Sequence, residues 1–289
     1  MQETPQSAYP WLLRRLVDSH LWIAFGCSLA CLPAIYALHF PYGWQSFIIS
    51  LTAATFSAYN FHRIRLVPKA DPERYVQQQR RFHFTLASIG AIVAIWYVLE
   101  MPLQFYVAAF PPFLLTTGYL IPISSGRRLR DLPYTKTIFL AVTLAYVQIA
   151  LPASLDTDIS LPDGWIFFFG GRCAFMFALC LPFDIRDIQK DNANHVKTYA
   201  NQLGIPLAKT LCTQVLFCGF ILLCISFVVE LFTPMEMMAW VVLYFLNFLF
   251  IRGITKDREG YYFSGLGDGI LILQGLLFVG AHALQNYLH

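Results

Sequence analysis

Long apolar runs, separated by short polar or charged stretches, follow one another along almost the whole chain. A helix needs about 20 predominantly apolar residues to cross a bilayer, and nine runs have roughly that length. The predicted spans are Leu21–Phe40, Trp44–Asn60, Phe82–Leu99, Leu103–Ile123, Thr137–Ala153, Trp165–Pro182, Ala208–Phe232, Met237–Ile254 and Gly269–Tyr287. The pattern predicts an all-α membrane protein with about nine transmembrane helices, forming one polytopic domain over residues 1–289.

The polar connections differ in charge according to the side of the membrane that they occupy. Lys and Arg crowd the long connections that follow every second run, whereas the opposite connections carry acids such as Glu100, Asp163 and Glu230. The basic connections are 63–81, 127–136, 186–209 and 252–258. Because basic residues concentrate on the cytoplasmic side, we expect a cytoplasmic N-terminus and, with nine spans, an external C-terminus.

The amino-acid composition supports a membrane location and argues against a soluble globular domain. Hydrophobic residues make up 57% of the chain and charged residues 13%, against about one quarter charged in soluble domains. The N-terminus lacks the order of a cleavable signal peptide, so we expect the first apolar run to remain as a membrane helix. We expect an integral membrane protein, of the bacterial inner (cytoplasmic) membrane. Topology accounts for the basic residues, so we predict no nucleic-acid binding. All seven Cys lie in apolar runs without a CxxC pair, which indicates buried packing residues.

The stretch LPFDIRDIQKD carries the strongest chemical signal. Asp184, Asp187 and Asp191 stand at i, i+3 and i+7, which places three carboxylates within roughly 60° on one helical face. Their repulsion calls for a counter-charge, and Mg²⁺ bridging one or two carboxylates to substrate phosphates would supply it. The alternative is a solvated helix end with Arg186 and Lys190 as ion-pair partners. The position of the motif, directly after a predicted span, favours the metal site.

This segment, followed by Lys197, Thr198 and QLG, resembles the second aspartate-rich motif, DxxDxxxD, of the UbiA superfamily of intramembrane prenyltransferases. The stretch GYLIPISSGRRLRDLPYTKTIFLA is also similar to the loop between the fourth and fifth helices of that family. Nine helices with a cytoplasmic N-terminus are the family's plan. The resemblance therefore extends over nearly the whole chain.

The resemblance implies a helical bundle around a lipid-accessible cavity. Such enzymes transfer an isoprenoid chain from a prenyl diphosphate to a lipid-soluble, often aromatic, acceptor, and aspartate motifs hold Mg²⁺ against the diphosphate. An apolar cavity would keep water from the allylic cation. On this basis the catalytic metal ligands are Asp184, Asp187 and Asp191, and Arg186 and Lys197 are phosphate contacts.

The first aspartate motif of the family, NDxxDxxxD, aligns with NFHRIRLVP in this chain and is degenerate. Its three aspartate positions hold Phe61, Ile64 and Pro68, while Asn60 is retained. In one interpretation Asn60, Arg63 and Arg65 bind the diphosphate directly, because guanidinium is a good bidentate phosphate ligand. In the other, the basic residues serve topology alone and transfer activity is lost or changed.

Three single polar residues lie inside or beside the runs. Arg172 is a basic residue within a span, which is a functional hypothesis by default. The alternative is an arginine that snorkels to the outer interface and pairs with Asp156, Asp158 or Asp163. Asn247 is expected to be a helix-packing polar group. Asp268 is expected to cap the last helix.

Two functions follow from these observations. The favoured one is a UbiA-like prenyltransferase that uses Mg²⁺, a prenyl diphosphate and a lipid-soluble acceptor within the membrane lipid. The alternative is a catalytically altered relative that binds an isoprenoid lipid or a partner membrane protein. An ion-coupled transporter fits less well, because the carboxylates lie at a helix end and not at the bilayer midplane. The sequence leaves the oligomeric state open.

Overall fold

Helices dominate this computed structural model, which describes residues 11–39, 43–66, 74–121, 128–156, 160–256, 258 and 260–288, of which 65–66, 74–79, 120 and 288 by backbone alone. The α-helices are α1 (Trp11–Asp18), α2 (Leu21–Leu29), α3 (Leu32–Ala37), α4 (Trp44–Leu66), α5 (Arg74–Val98), α6 (Leu103–Leu120), α7 (Thr135–Ala153), α8 (Trp165–Arg186), α9 (Ile188–Ala193), α10 (Tyr199–Val228), α11 (Pro234–Arg252) and α12 (Asp268–Leu288). A π-helical segment, Tyr262–Gly267, leads into α12. No strand occurs in these ranges, which confirms the all-α prediction there.

Six helical segments in the described ranges are long and apolar enough to cross a membrane. They are Arg80–Val98, Thr135–Ala153, Trp165–Arg186, Tyr199–Val228, Pro234–Arg252 and Tyr262–Tyr287. A seventh is the pair Trp11–Asp18 and Leu21–Ala37, bent by 78°, if it counts as one span. Helices α4 and α6 lie at the second and fourth predicted positions without meeting that test, so the count of nine stays a prediction.

The first predicted span, Leu21–Phe40, is not one regular helix. It divides into α2 and α3 at Ala30–Cys31, and Pro33 is the second residue of α3. Proline has no N–H to continue the ladder of hydrogen bonds, and its ring clashes with the preceding turn. The predicted end at Phe40 lies outside the described residues.

Several helices extend beyond their apolar runs. Helix α4 continues to Leu66, α5 begins at Arg74, and α10 begins at Tyr199, nine residues before the predicted start at Ala208. The polar parts of these helices lie beyond the apolar runs. A prediction of membrane spans from apolar residues alone therefore does not include them. In α10 the chain also kinks at Gly204, with φ of 75°, just before Pro206.

Helix α8 lies in the middle of the packing, against α7, α10 and α11. Gly171 and Gly219 allow α8 and α10 to approach closely, because a Cβ on Gly171 would lie 3.0 Å from the Gly219 carbonyl oxygen. Small residues serve this purpose at membrane helix contacts. Most cysteines are buried or partly buried in such contacts, as expected, but Cys218 is exposed. The packing fixes α7 and α8 side by side, and their ends build the site described next.

Candidate active site

A buried ion-pair cluster joins the start of α7 to the end of α8. Lys136 Nζ lies 2.8 Å from Asp184 Oδ1 and 2.8 Å from Asp191 Oδ2. The three side chains are no more than 8% exposed. Thr137 donates a short hydrogen bond to the other oxygen of Asp184. One ammonium therefore pairs with two carboxylates and offsets part of the repulsion that burial would otherwise leave between them.

The chain path explains why two of the three motif aspartates meet and the third does not. Helix α8 ends at Arg186, Asp187 leaves the helical region with φ of −92° and ψ of 8°, and α9 then begins at Ile188. The predicted single helical face with three carboxylates is therefore wrong. Asp184 and Asp191 turn towards Lys136 from two different helices.

Asp187 pairs with its neighbour instead. Arg186 Nε donates to Asp187 Oδ1 at 2.9 Å, and a second nitrogen donates to Oδ2 at 3.2 Å. Burial alone would raise the pKa of Asp187, but the hydrogen bonds and charge of Arg186 outweigh it and hold that pKa below its usual range. Arg186 also lies 5.2 Å above the ring of Phe183. Lys197 is exposed nearby, and its carbonyl accepts from the Tyr134 N–H at 2.9 Å.

The sequence pattern does not mark Lys136 as a site residue, because it belongs to the basic connection 127–136, whose charge the membrane topology explains. Its position held a signal: it directly precedes the predicted span at Thr137, whereas the other basic residues of that connection lie farther from the apolar run. A lysine at the first turn of a span is either snorkelling or paired. Only the packing of α7 on α8 shows that it is paired.

Two tyrosines interact with this cluster or with the helix that carries it. Tyr119 interacts electrostatically with Lys136 and Asp184. The side chain of Tyr59 on α4 is 42% exposed, yet it interacts electrostatically with Cys180 on α8 and Asp268 on α12. Tyr59 therefore lies within electrostatic reach of α8 and α12 as well as on α4.

Comparison with known proteins identifies the fold. No family model matches the sequence, and no curated protein matches it. Among solved structures, the apo UbiA homologue from Aeropyrum pernix K1 superposes with a TM-score of 0.67 at 12% identity, covering 89% of this chain and 96% of that chain. The chain has the UbiA fold. A UbiA homologue from Archaeoglobus fulgidus bound to GPP and Mg²⁺ matches with a TM-score of 0.60 at 12% identity, covering 93% and 99%.

A third match to the UbiA fold is a digeranylgeranylglyceryl phosphate synthase, with a TM-score of 0.55 at 11% identity, covering 93% of this chain and 98% of that chain. The resemblance inferred from the aspartate motif is thus confirmed at the level of the fold. Together with the apolar helices, the fold makes this an integral membrane protein.

At the end of α4, the position of Asn60 does not match the predicted role of this residue as a diphosphate contact. Asn60 is completely buried. Its amide donates to the carbonyls of Ser19 at 3.2 Å and Phe56 at 2.9 Å, and its oxygen lies 2.7 Å from His83 Nδ1. Asn60 therefore ties α4 to α5 and to the α1–α2 junction, and its polar atoms are already engaged.

The basic residues of the same segment are not joined to the aspartates. Arg63 is exposed, the side chain of Arg65 lies outside the described part of the structure, and so does Pro68. Over the residues that are described, no hydrogen bond or ion pair links Asn60 or Arg63 to Asp184 or Asp191. The structure brings together only the second half of the predicted site.

The carboxylates can be tested as Mg²⁺ ligands by their geometry. Within the described ranges no group of three or more His, Cys, Asp or Glu converges on one point. Asp184 and Asp191 do converge, on the position of Lys136 Nζ. Mg²⁺ in proteins is commonly held by one or two carboxylates with substrate phosphates, so this pair fits an ion shared with a diphosphate and competing with Lys136.

Arg172 forms a second polar contact between the same two helices. It is 2% exposed, and its Nε donates to Gln148 Oε1 at 2.8 Å. The guanidinium lies 4.8 Å from the Phe175 ring and 5.6 Å from the Trp240 ring, and neither Nη atom has a partner among the described residues. The snorkelling interpretation is therefore wrong: Arg172 is enclosed by aromatic rings inside the bundle.

Two further polar residues, Asn247 and Asp268, lie on α11 and at the start of α12. Asn247 is fully buried and its amide lies 3.5 Å from the Phe175 carbonyl, which confirms a helix-packing role. Asp268 does not cap a free helix end, because helical backbone runs without interruption from residue 260 into α12. The expected capping role of Asp268 is therefore wrong.

Proposed function

We propose that this chain is an intramembrane prenyltransferase that moves an isoprenoid chain from a prenyl diphosphate to a lipid-soluble, aromatic acceptor. The observation that carries the proposal is the buried Lys136–Asp184–Asp191 cluster at one end of a UbiA fold. Neighbours of that fold were solved with GPP and with DMAPP, each together with Mg²⁺. The cluster supplies both carboxylates for an ion and a cationic group for a phosphate.

The residues of the cluster have separate tasks in this proposal. Asp184 and Asp191 would hold Mg²⁺, which when bound neutralises charge developing on the departing diphosphate. Lys136, released from one carboxylate, donates to phosphate oxygen as a point charge. Arg186, Asp187 and Lys197 lie at the edge of the cluster as further diphosphate or metal contacts. An apolar cavity would exclude water from the allylic cation.

The proposed function also implies a membrane topology for the chain. All nine helical regions would cross the membrane within a single domain spanning residues 1–289, around a cavity open to lipid. The basic ends of α4, α7 and α8 would face the cytoplasm of a bacterial cell, with the N-terminus on the same side. Cysteine labelling that placed Asp163 and Lys190 on one side of the membrane would contradict this orientation.

A second function is favoured by two observations. Asn60 is fully engaged in internal hydrogen bonds, and Lys136 is already paired with both carboxylates. A protein that binds an isoprenoid lipid or a partner membrane protein, without transferring the chain, would keep the cluster as a structural ion pair.

One experiment separates the two functions. The purified protein is incubated with labelled geranyl diphosphate and a panel of hydroxylated aromatic acceptors, with Mg²⁺ or with EDTA, and its melting temperature is measured in parallel. Transfer that needs Mg²⁺ and is lost in Asp184→Asn, but not in the external control Asp163→Asn, supports the enzyme. Stabilisation by geranyl diphosphate without product supports the binding protein. If the protein gives no product and is not stabilised by geranyl diphosphate, both functions are contradicted.

A further inference from the structure

A cavity of about 700 Å³ opens at the end of the bundle opposite to the Lys136 cluster. Its walls are the ends of α3, α10 and α12 and the connection from α10 into α11. Ser226, near the end of α10, donates to the carbonyl of Gly164 at 3.2 Å, so this end of α10 lies beside the start of α8. Ligand sites in proteins commonly have about 300 to 1,000 Å³, and this cavity is large enough to hold a lipid head group.

Two acidic side chains line the cavity, Glu230 and Glu236, and its described lining contains no Lys or Arg. Glu236 is 5% exposed. Its Oε2 accepts from the N–H of Thr233 at 2.9 Å and from the Thr233 hydroxyl at 3.0 Å. For Glu236 Oε1, no hydrogen bond or ion pair is found among the residues that the structure describes. Burial of an acidic group without a basic partner is unfavourable, so the cavity is suited to a cationic ligand.

Glu230 occupies a backbone position at which glycine is the usual residue. Its φ is 63°. The Glu230 N–H donates to the Phe227 carbonyl and the Leu231 N–H to the Ser226 carbonyl, each at 3.0 Å. This pair of bonds is the Schellman ending of a helix, and its left-handed residue is usually glycine, which has no Cβ to clash. The ending of α10 does not require an acidic residue here, which favours a role for the Glu230 side chain in the cavity.

The wall formed by α3 and α12 adds aromatic rings and amides. The rings of Tyr36 and His282 are stacked, with centroids 4.5 Å apart and planes 12° from parallel. Tyr36 also lies within electrostatic reach of Glu236. Farther along α12, Gln285 and Asn286 line the cavity, and their amide groups can donate hydrogen bonds to anionic oxygens. The lining therefore offers acidic groups for a cation and amide donors for an anion.

The mouth of the cavity has the residues that are expected at the level of lipid head groups. Tyr287 directly follows Asn286 on α12 and is 86% exposed. Val228, a lining residue at the end of α10, is 77% exposed. Tyrosine is enriched at the membrane–water interface, and an exposed valine beside it can contact acyl chains. A ligand with a polar head group and apolar tails can therefore reach the cavity from the membrane.

We propose that this cavity binds the head group of an aminophospholipid, with its primary ammonium at Glu230 and Glu236 and its phosphodiester towards Gln285 and Asn286. A primary ammonium donates three hydrogen bonds, and carboxylates accept them. The quaternary ammonium of a choline head group has no N–H to donate, and the two acids would repel a purely anionic head group. The cavity shares no residue with the Lys136 cluster, so this inference is independent of the proposed transferase function.

The test measures lipid binding to the full chain, purified in detergent and stripped of lipid. Phosphatidylethanolamine, phosphatidylcholine and phosphatidylglycerol with the same acyl chains are titrated, and bound lipid is counted by native mass spectrometry. The wild type should bind phosphatidylethanolamine roughly tenfold or more tightly than either of the others, as expected for hydrogen bonds between charged groups. Glu236→Gln should remove most of this preference. Glutamine still fits the capping box with Thr233, so we expect the variant to fold.

Controls locate the preference and identify the source of the ammonium. Glu100→Gln, an exposed acid beyond the end of α5 and outside the cavity, should keep the full preference. Glycerophosphoethanolamine, which has the head group without acyl chains, should bind far more weakly, and an affinity equal to that of the lipid would overturn the lipid assignment. Equal binding of the three lipids by the wild type would overturn the proposal. So would a preference that survives in a folded Glu230→Gln, Glu236→Gln double variant, with folding checked by its melting temperature.

Discussion

Lys136 and Asp184 meet across the antiparallel helices α7 and α8, with Nζ 2.8 Å from Oδ1. Twelve residues deeper on each helix, Gln148 meets Arg172 in the same register. At a rise of about 1.5 Å per residue, the two polar contacts lie about 18 Å apart along the helices. One contact is an ion pair at the end of the bundle and the other is a lone cation in its interior, so substitutions should affect them differently.

Lys136→Met should destabilise the protein strongly, because it leaves Asp184 and Asp191 buried without a counter-charge. Breaking a buried ion pair in this way typically costs about 3 to 5 kcal/mol. Millimolar Mg²⁺ should restore part of the loss if the ion can take the place of the ammonium. The measurement is thermal unfolding with Mg²⁺ and with EDTA. The exposed Lys197→Met is the matched control, and an equal effect at the two lysines would contradict the structural role of Lys136.

Asp191→Asn should reduce the Mg²⁺-dependent stabilisation by geranyl diphosphate more than Asp187→Asn does. Asp191 converges with Asp184 on one point, whereas Asp187 is engaged by Arg186. The assay is the melting temperature with geranyl diphosphate, titrated with Mg²⁺. Equal losses in the two variants would place Asp187 in the ion site after all. No loss in either would mean that the motif has no metal role.

Gln148→Leu should destabilise the protein by about 1.5 to 3 kcal/mol, because it removes the one hydrogen-bond partner described for a buried guanidinium. Adding Arg172→Met should recover much of that loss, since replacing a buried charge with an apolar side chain is often neutral or stabilising. Chemical unfolding of the two single variants and the double variant gives the coupling energy. Purely additive effects would show that the contact between Arg172 and Gln148 contributes nothing.

Arg63→Lys tests whether the degenerate α4 motif still serves the diphosphate. If the Arg63 guanidinium binds phosphate oxygens, loss of its planar fork should weaken geranyl diphosphate binding roughly tenfold, although the charge remains. Arg74→Lys, in the same basic connection, is the control and should have no effect. The affinity for geranyl diphosphate is measured by titrating each variant with it. Equal, negligible changes would assign both arginines to topology.

The positions of the helices could be predicted from the sequence because the signal is local. A run of apolar residues must satisfy its backbone hydrogen bonds internally in lipid, so its length and boundaries predict a helix without knowledge of its neighbours. The runs at Thr137–Ala153 and Trp165–Pro182 correspond closely to α7 and α8. The aspartate motif could be recognised for the same reason, because its three aspartates lie within one short stretch of the chain.

The tertiary structure decided which polar groups meet. Lys136 and Asp191 are separated by more than fifty residues, and their contact depends on the packing of α7 against α8 and on the turn at Asp187. The burial of Arg172 and the engagement of Asn60 likewise depend on helices distant in sequence. A buried charge takes its role from the partners that surround it in a low dielectric. Those partners are set by helix packing, which no local pattern encodes.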